Sequence, residues 1–318
     1  MIEITKASVS LFLVGLLSLS ACNSKKDRFT DTFTTGVIQV AVDESFQPIV
    51  AEEIRVFENK YPLAGVEALN VSETDAFNLF LKDCVRVAIV TRPLSTEEIA
   101  SFQSRKLYPK DMKIATDGIA LIVNKMNPDT LITVDQIKSL LSGKIQTWQE
   151  LEGEIGSSVR DTIKVVFDNS NSSTVRFMQD SVCGGNRLLA VNLFAQKNNP
   201  EVIDFVARTP NALGIIGVSW IGEKSDSTLI SFIHNIRVMS VSNAQVATSE
   251  NSYKPYQAYV ALGKYPLRRS IYALLNDPRG ALSSGFYTFL SSDQGQRILL
   301  KSGIVPATQP VRIVTTPE

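Results

Sequence analysis

Thr116-Asp117-Gly118-Ile119-Ala120-Leu121-Ile122-Val123-Asn124 is the stretch whose reading decides the fold. A strand with one wet face alternates apolar and polar residues, but residues 119–123 are apolar at every position. Such a run belongs to a strand covered on both faces or passing from one domain to another. A change of lobe is therefore expected near it.

Toward the N-terminus, short β-branched runs alternate with amphipathic stretches. The pattern predicts a strand at 37–42, a helix at 46–60 stopped by Tyr61-Pro62, and a strand at 66–71. A helix at 74–81 follows, with Ser72 and Asp75 at capping-box spacing. Next come a strand at 85–90, the turn Thr91-Arg92-Pro93-Leu94, and a helix from Thr96 whose Glu97 and Glu98 suit its positive end. Toward the C-terminus a helix is predicted at 134–142 and a strand at 163–167. That strand leads through Asp168-Asn169-Ser170-Asn171-Ser172-Ser173-Thr174 into a helix at 175–182. Strands at 213–218 and 230–233, a strand or helix at 267–275, and helical segments at 286–291 and 294–301 complete an α/β fold with largely parallel sheets.

The first residues set the compartment. Residues 9–19 form an apolar run of signal-peptide length, too short to span a bilayer, followed by Leu19-Ser20-Ala21-Cys22. That tetrapeptide resembles the bacterial lipobox. Residues 1–21 are accordingly expected to be a signal peptide, Cys22 the lipid-bearing mature N-terminus, and 22–36 a tether on the periplasmic side of the membrane. The rest suggests about two domains, at roughly 150 residues each. Thirty-two basic and 32 acidic residues balance to zero net charge, which argues against a nucleic-acid partner. Cys84 and Cys183 form either one disulfide or two free thiols; no spacing marks them for metal or redox chemistry, which favours the thiols.

Hydroxyl or amide side chains mark four strand-to-helix junctions: Ser45, Ser72, Thr91 with Arg92, and Ser172-Ser173-Thr174. In parallel α/β sheets these junctions lie at the carboxyl ends of the strands, where ligands bind, and converging helix N-termini can hold an anion without excess lysine. Catalytic patterns are missing. His234 is the only histidine and reads as structural or surface, and there is no Gly-x-Ser-x-Gly elbow, phosphate-binding loop or dinucleotide fingerprint. No cofactor and no metal are expected. Trp148 and Trp220 read as packing residues.

Several segments, in order, resemble the PstS-like phosphate-binding proteins of bacterial ABC transporters. They are 116–124, 131–151 with Leu141-Ser142-Gly143-Lys144 and Thr147-Trp148, 209–217, Tyr265-Pro266-Leu267, and Gly295-Gln296-Arg297 through Gly303-Ile304-Val305-Pro306. The resemblance implies a two-lobed periplasmic-binding-protein fold with a ligand cleft and two hinge crossings. Lobe 1 would be 37–115 plus 266–318, and lobe 2 would be 116–265. It implies a monomer, not an enzyme, that closes over inorganic phosphate or a related oxyanion and delivers it to an ABC transporter permease. Its phosphate-holding Ser-Gly-Thr turn looks like Ser172-Ser173-Thr174, with Ser173 in place of glycine. Its first-lobe contacts look like Ser45-Phe46 and Ser72. Two positions depart: Asp168 stands where the family carries an arginine, and Thr91, beside Arg92, stands where it carries an acid. The expectation is that Arg92, or Arg176, supplies the guanidinium, and that Asp168, Asp43 or Glu73 accepts the ligand's proton. A binding or sensory module for another oxyanion or small acid and a phosphate-ester-processing enzyme using the same cleft are the rival readings.

Overall fold

The computed structural model describes residues 31–151, 162–222 and 232–311. The expected signal peptide, Cys22 and most of the tether lie outside the described residues. The chain enters the fold earlier than its pattern suggests. Asp31 Oδ1 accepts from the Leu282 amide at 3.0 Å. Phe33 crosses a helix at Gly285, where a Cβ would stand 1.8 Å from the Phe33 carbonyl oxygen, so only glycine fits. Residues 31–36 are thus anchored rather than tethering.

The first half alternates as read: β1 (Thr35–Asp43), α1 (Gln47–Lys60), β2 (Leu63–Val71), α2 (Glu73–Leu81), β3 (Val87–Val90) and α3 (Thr96–Ser104). Ser72 caps α2 by accepting from the Asp75 amide. Ser95 and Glu98 close a reciprocal capping box on α3. β1 pairs in parallel with both β2 and β3.

β4 (Lys110–Asn124) is the long crossing strand. Its first part pairs with β11 (Arg268–Leu275) and its last part with β8 (Ala212–Gly217), all antiparallel. The second half continues from β8 to β6 (Lys164–Phe167) and β7 (Leu193–Ala195), both joints parallel. The chain returns to the first half beside the same crossing, where the Ile119 amide donates to the Leu267 carbonyl at 2.8 Å. One sheet in the order β2-β1-β3-β11-β4-β8-β6-β7 results. It is mixed rather than largely parallel, because β4 and β11 run against their neighbours at the joint.

Helices cover the sheet. α4 (Val134–Leu141), α5 (Ser173–Phe177, continued by a π-turn at Met178–Val182) and α6 (Asn199–Arg208) belong to the second half. α7 (Gln257–Ala261) precedes the return, and α8 (Leu282–Ser291) and α9 (Asp293–Lys301) pack on the first half. Residues 119–123 are fully buried and serve both main hydrophobic clusters, Ala120 and Ile122 facing one and Ile119, Leu121 and Val123 the other. The expected strand at 230–233 lies partly outside the described residues; the strand found nearby is β9 (Ile236–Val238), on the end of β4. Trp148 is wholly buried, His234 is exposed, and Cys84 and Cys183 are free thiols. Among the described residues no helix is long and apolar enough to cross a membrane.

Candidate functional site

Where β1 and β3 end in the first half, and β6 and β8 in the second, polar residues meet. Asp43, the last residue of β1, accepts from the Ser45 amide at 3.1 Å and so fixes the tight turn that carries Ser45 and Phe46. From the second half, Ser172 caps α5 by accepting from the Val175 amide. This places Ser173 and Thr174 in the first turn, both buried. Ser45 Oγ and Ser173 Oγ then lie 3.3 Å apart across the two halves. The Ser45 carbonyl accepts from Ser219 Oγ at 3.1 Å and Trp220 Nε1 at 3.0 Å, so Trp220 serves the site as well as packing.

The guanidinium at this point comes from Arg269 on β11, a residue the sequence reading did not single out. Its Nη1 donates to Ser173 Oγ at 2.6 Å and reaches Thr174 Oγ1 at 3.4 Å. Its Nε donates to Asp117 Oδ2 at 3.1 Å, and Asp117 is its cross-strand neighbour on β4. The ion pair is almost completely buried, with side chains 3% and 0% exposed. The guanidinium also lies 4.8 Å from the Phe46 ring centre, in cation–π range. Gly217 makes room for it: a Cβ there would meet Arg269 Nη2 at 3.1 Å.

A second bridge joins the halves nearby. Glu73, at the start of α2, accepts from the Thr91 amide at 2.8 Å and hydroxyl at 2.6 Å, and from Arg176 Nε at 2.6 Å and Nη2 at 3.1 Å. Arg176 Nη2 also bonds Thr91 Oγ1, and Nη1 reaches Asp180 at 3.2 Å. Thr74 Oγ1 donates to the Asn171 carbonyl at 3.3 Å, and Asn169 donates to Glu44.

The expected residues divide accordingly. Ser45, Phe46, Ser173 and Thr174 gather around Arg269. Thr91 and Arg176 form the second bridge. Ser72 remains a helix cap bonded to Asp75. Arg92 is held elsewhere: both terminal nitrogens bond Glu98 at 2.8 Å, and its guanidinium stacks 3.7 Å from the Phe77 ring centre. Its charge is committed to the first turn of α3. Asp168 is buried within its own half, accepting from the Asn169 amide at 3.0 Å and Asn199 Nδ2 at 3.4 Å.

The carboxyls respond to burial. Desolvation pushes Asp43 up to about 7, partly opposed by Arg269, and Glu44 up to about 7, reinforced by Asp168 and Asp43. Burial also raises Asp117 and Asp168, against the opposing pull of Arg269. Burial would raise Glu73 too, but its bonds from Arg176 and Thr91 outweigh that and hold it below the usual range. Three polar atoms of the Arg269 centre are buried without a hydrogen-bond partner: Asp43 Oδ2, Asp117 Oδ1 and Arg269 Nη2, the last being 3.1 Å from Asp117 Oδ2 without hydrogen-bond geometry. Buried polar atoms are rarely left so, and these three lie together beside the Ser45, Ser173 and Thr174 hydroxyls.

The sequence profile of the PBP superfamily domain matches residues 29–294. The chain belongs to this family of binding proteins. Similar chains include the phosphate-binding protein PstS of Pseudomonas aeruginosa, 21% identical over 79% of this chain and 76% of that protein. PstS of Staphylococcus aureus (strain bovine RF122) is 22% identical over 89% of this chain and 83% of that protein. Among solved structures, an ABC-type phosphate transport receptor from Vibrio cholerae matches 84% of this chain and 99% of its own with a TM-score of 0.63 at 20% identity. PstS from Borrelia burgdorferi matches 85% and 98% with a TM-score of 0.52, also at 20% identity. These likenesses agree with the α/β binding-protein fold expected from the sequence.

Proposed function

We propose that this chain is a solute-binding protein that captures inorganic phosphate between its two halves and presents it to an ABC transporter permease. Residues 37–115 with 266–318 would form one lobe and 116–265 the other, closing on the ligand as a monomer. Lipid on Cys22 would hold the protein at the periplasmic side of the membrane. The observation that carries the reading is the buried Arg269 guanidinium on Ser173 and Thr174 of one half, with Ser45 of the other half facing it. Hydroxyls and a fixed guanidinium suit a tetrahedral oxyanion, because charge-assisted bonds to phosphate oxygens are the strong kind. A ligand touching both halves is also what closure requires. Ser172, Phe46 and Thr174 would support the contact turns, and the Thr91–Glu73–Arg176 bridge would hold the closed lobes. Capture without catalysis is the reading, and it is supported by the relatives named above, which are binding proteins.

One observation favours a ligand that still carries a proton. Arg269 and Arg176 are each matched by a carboxylate, Asp117 and Glu73, which leaves Asp43, Glu44 and Asp168 with no cation of their own. Burial holds Asp43 and Glu44 protonated toward about 7, and where such a carboxyl ionises it can accept the proton of a protonated anion while repelling a fully ionised one. Another protonated oxyanion or small acid is the second reading on the same ground. Titration calorimetry of ligand-stripped protein decides between them. Saturable heat with phosphate and none with sulfate is expected; no heat with phosphate at millimolar concentration would contradict the reading. The anchor is tested separately, by loss of labelled fatty acid in Cys22→Ala.

A further inference from the structure

The Ser173 hydroxyl meets groups of the other half on two sides. It accepts from Arg269 Nη1 at 2.6 Å, touches Ser45 Oγ at 3.3 Å, and lies close enough to Asp43 to lower that carboxyl's pKa. The residue is fully buried. A neutral hydroxyl is a weak match for a guanidinium, whose strong partners are carboxylate and phosphate oxygens. Yet the hydroxyl holds the guanidinium while Asp43 Oδ2, Asp117 Oδ1 and Arg269 Nη2 beside it lack hydrogen bonds. Leaving such buried atoms unbonded is costly, so the arrangement is incomplete as well as weakly matched. Ser173 is also the first residue of α5, where the Cα–Cβ bond tilts toward the helix N-terminus, which carries its oxygen toward the opposite half.

We propose that the Ser173 hydroxyl occupies the place of a ligand oxygen on Arg269, and that an entering tetrahedral oxyanion must displace it. Ser173 is then an internal competitor: it holds the Arg269 Nη1 donor that a ligand oxygen would otherwise take, and so weakens the affinity for the ligand. This rests on the oxyanion reading of the cleft. Ser45 and Thr174 have a different role, since no close guanidinium bond of this kind ties them up, and their hydroxyls remain for the ligand.

Competitor and ligand contact predict opposite signs. In Ser173→Ala the Cβ remains and only the oxygen goes. Phosphate should bind about tenfold more tightly, the factor expected when one charge-assisted hydrogen bond no longer has to be exchanged. Ser173→Gly should bind at least as tightly, and serves as the second variant if alanine perturbs the turn. Ser45→Ala should weaken binding. The experiment is titration of inorganic phosphate into the wild type and these variants, with circular dichroism confirming folded protein. Tighter binding in Ser173→Ala or Ser173→Gly supports the proposal, most strongly if the wild type binds too weakly to measure. Wild-type binding with equal or weaker binding in both variants overturns the competitor and leaves the oxyanion reading intact. No phosphate binding by any of the proteins overturns the oxyanion reading and the competitor with it.

Discussion

Two arginines, Arg176 and Arg269, reach from one half of the molecule to groups on the other, and they are satisfied very differently. Arg176 completes a closed set around Glu73, whose carboxylate takes bonds from Thr91 and from two guanidinium nitrogens. Arg269 pairs with Asp117 inside the sheet and then reaches a serine, amid buried carboxyl oxygens that no donor serves. A completed polar network holds structure, whereas buried polar groups left unsatisfied call for an explanation, which the proposed ligand supplies. The comparison separates a proposed latch from a proposed receptor, although both are crossings between the halves.

The largest expected effect comes from breaking the receptor's ion pair. Asp117→Ala leaves the Arg269 charge buried without its carboxylate and should cost about 3–5 kcal/mol of stability, measured from urea unfolding. The latch should be worth less, since Arg176 is one-third exposed. Glu73→Gln removes a charge that accepts several bonds and should cost about 1–3 kcal/mol, with Trp220 emission shifting as the halves loosen.

The pH dependence of stability sharpens the same contrast, because the two centres titrate in opposite senses. Asp43 keeps its proton in the folded protein up to about 7, against an ordinary value of 3.8, so its contribution is present at low pH and is lost as pH rises through that window. Glu44 adds to this from 4.5 to about 7, and Glu53, buried with both oxygens unbonded, extends the decline toward about 9. Glu73 is held below its ordinary value, so its contribution is present above that value and is lost as pH falls through the folded pKa. Asp43→Asn should flatten the decline toward neutral pH, and Glu73→Gln the decline in acid. Denaturant midpoints from pH 3 to 9 would show both; a Glu73→Gln profile unchanged in acid would contradict the latch.

Arg92 gives the smallest effect. Its bonds to Glu98 lie on a half-buried surface, so Arg92→Ala should cost at most about 1 kcal/mol and leave phosphate affinity within about twofold. That outcome would mark it as a brace for α3.

Much of this arrangement was legible in the sequence. The unbroken apolar run at 119–123 announced the crossing strand, because burial on both faces removes alternation. The junction hydroxyls Ser45, Ser173 and Thr174 were expected to gather and do lie together, because strand ends and helix starts collect there. Arg92 misled, although Ser95 and Glu98 already signalled the capping box that holds its partner. Arg269 was missed because a cation in a strand reads as a solvent-facing residue. The signal available was Arg268-Arg269 at the start of an apolar strand: neighbours on a strand face opposite ways, so one of the two had to point inward. Which one, and that it would meet Ser173 some 96 residues away, is set by the pairing of β11 with β4.

The central claim is that the incomplete network around Arg269 is the ligand site, and calorimetric titration of phosphate into Arg269→Met beside Arg92→Ala tests it most directly. The account predicts near-native affinity in Arg92→Ala and, in folded Arg269→Met, a loss of at least about a hundredfold, the order expected when a charged hydrogen-bonding partner is removed. Native affinity in Arg269→Met, or its loss in Arg92→Ala, would contradict it.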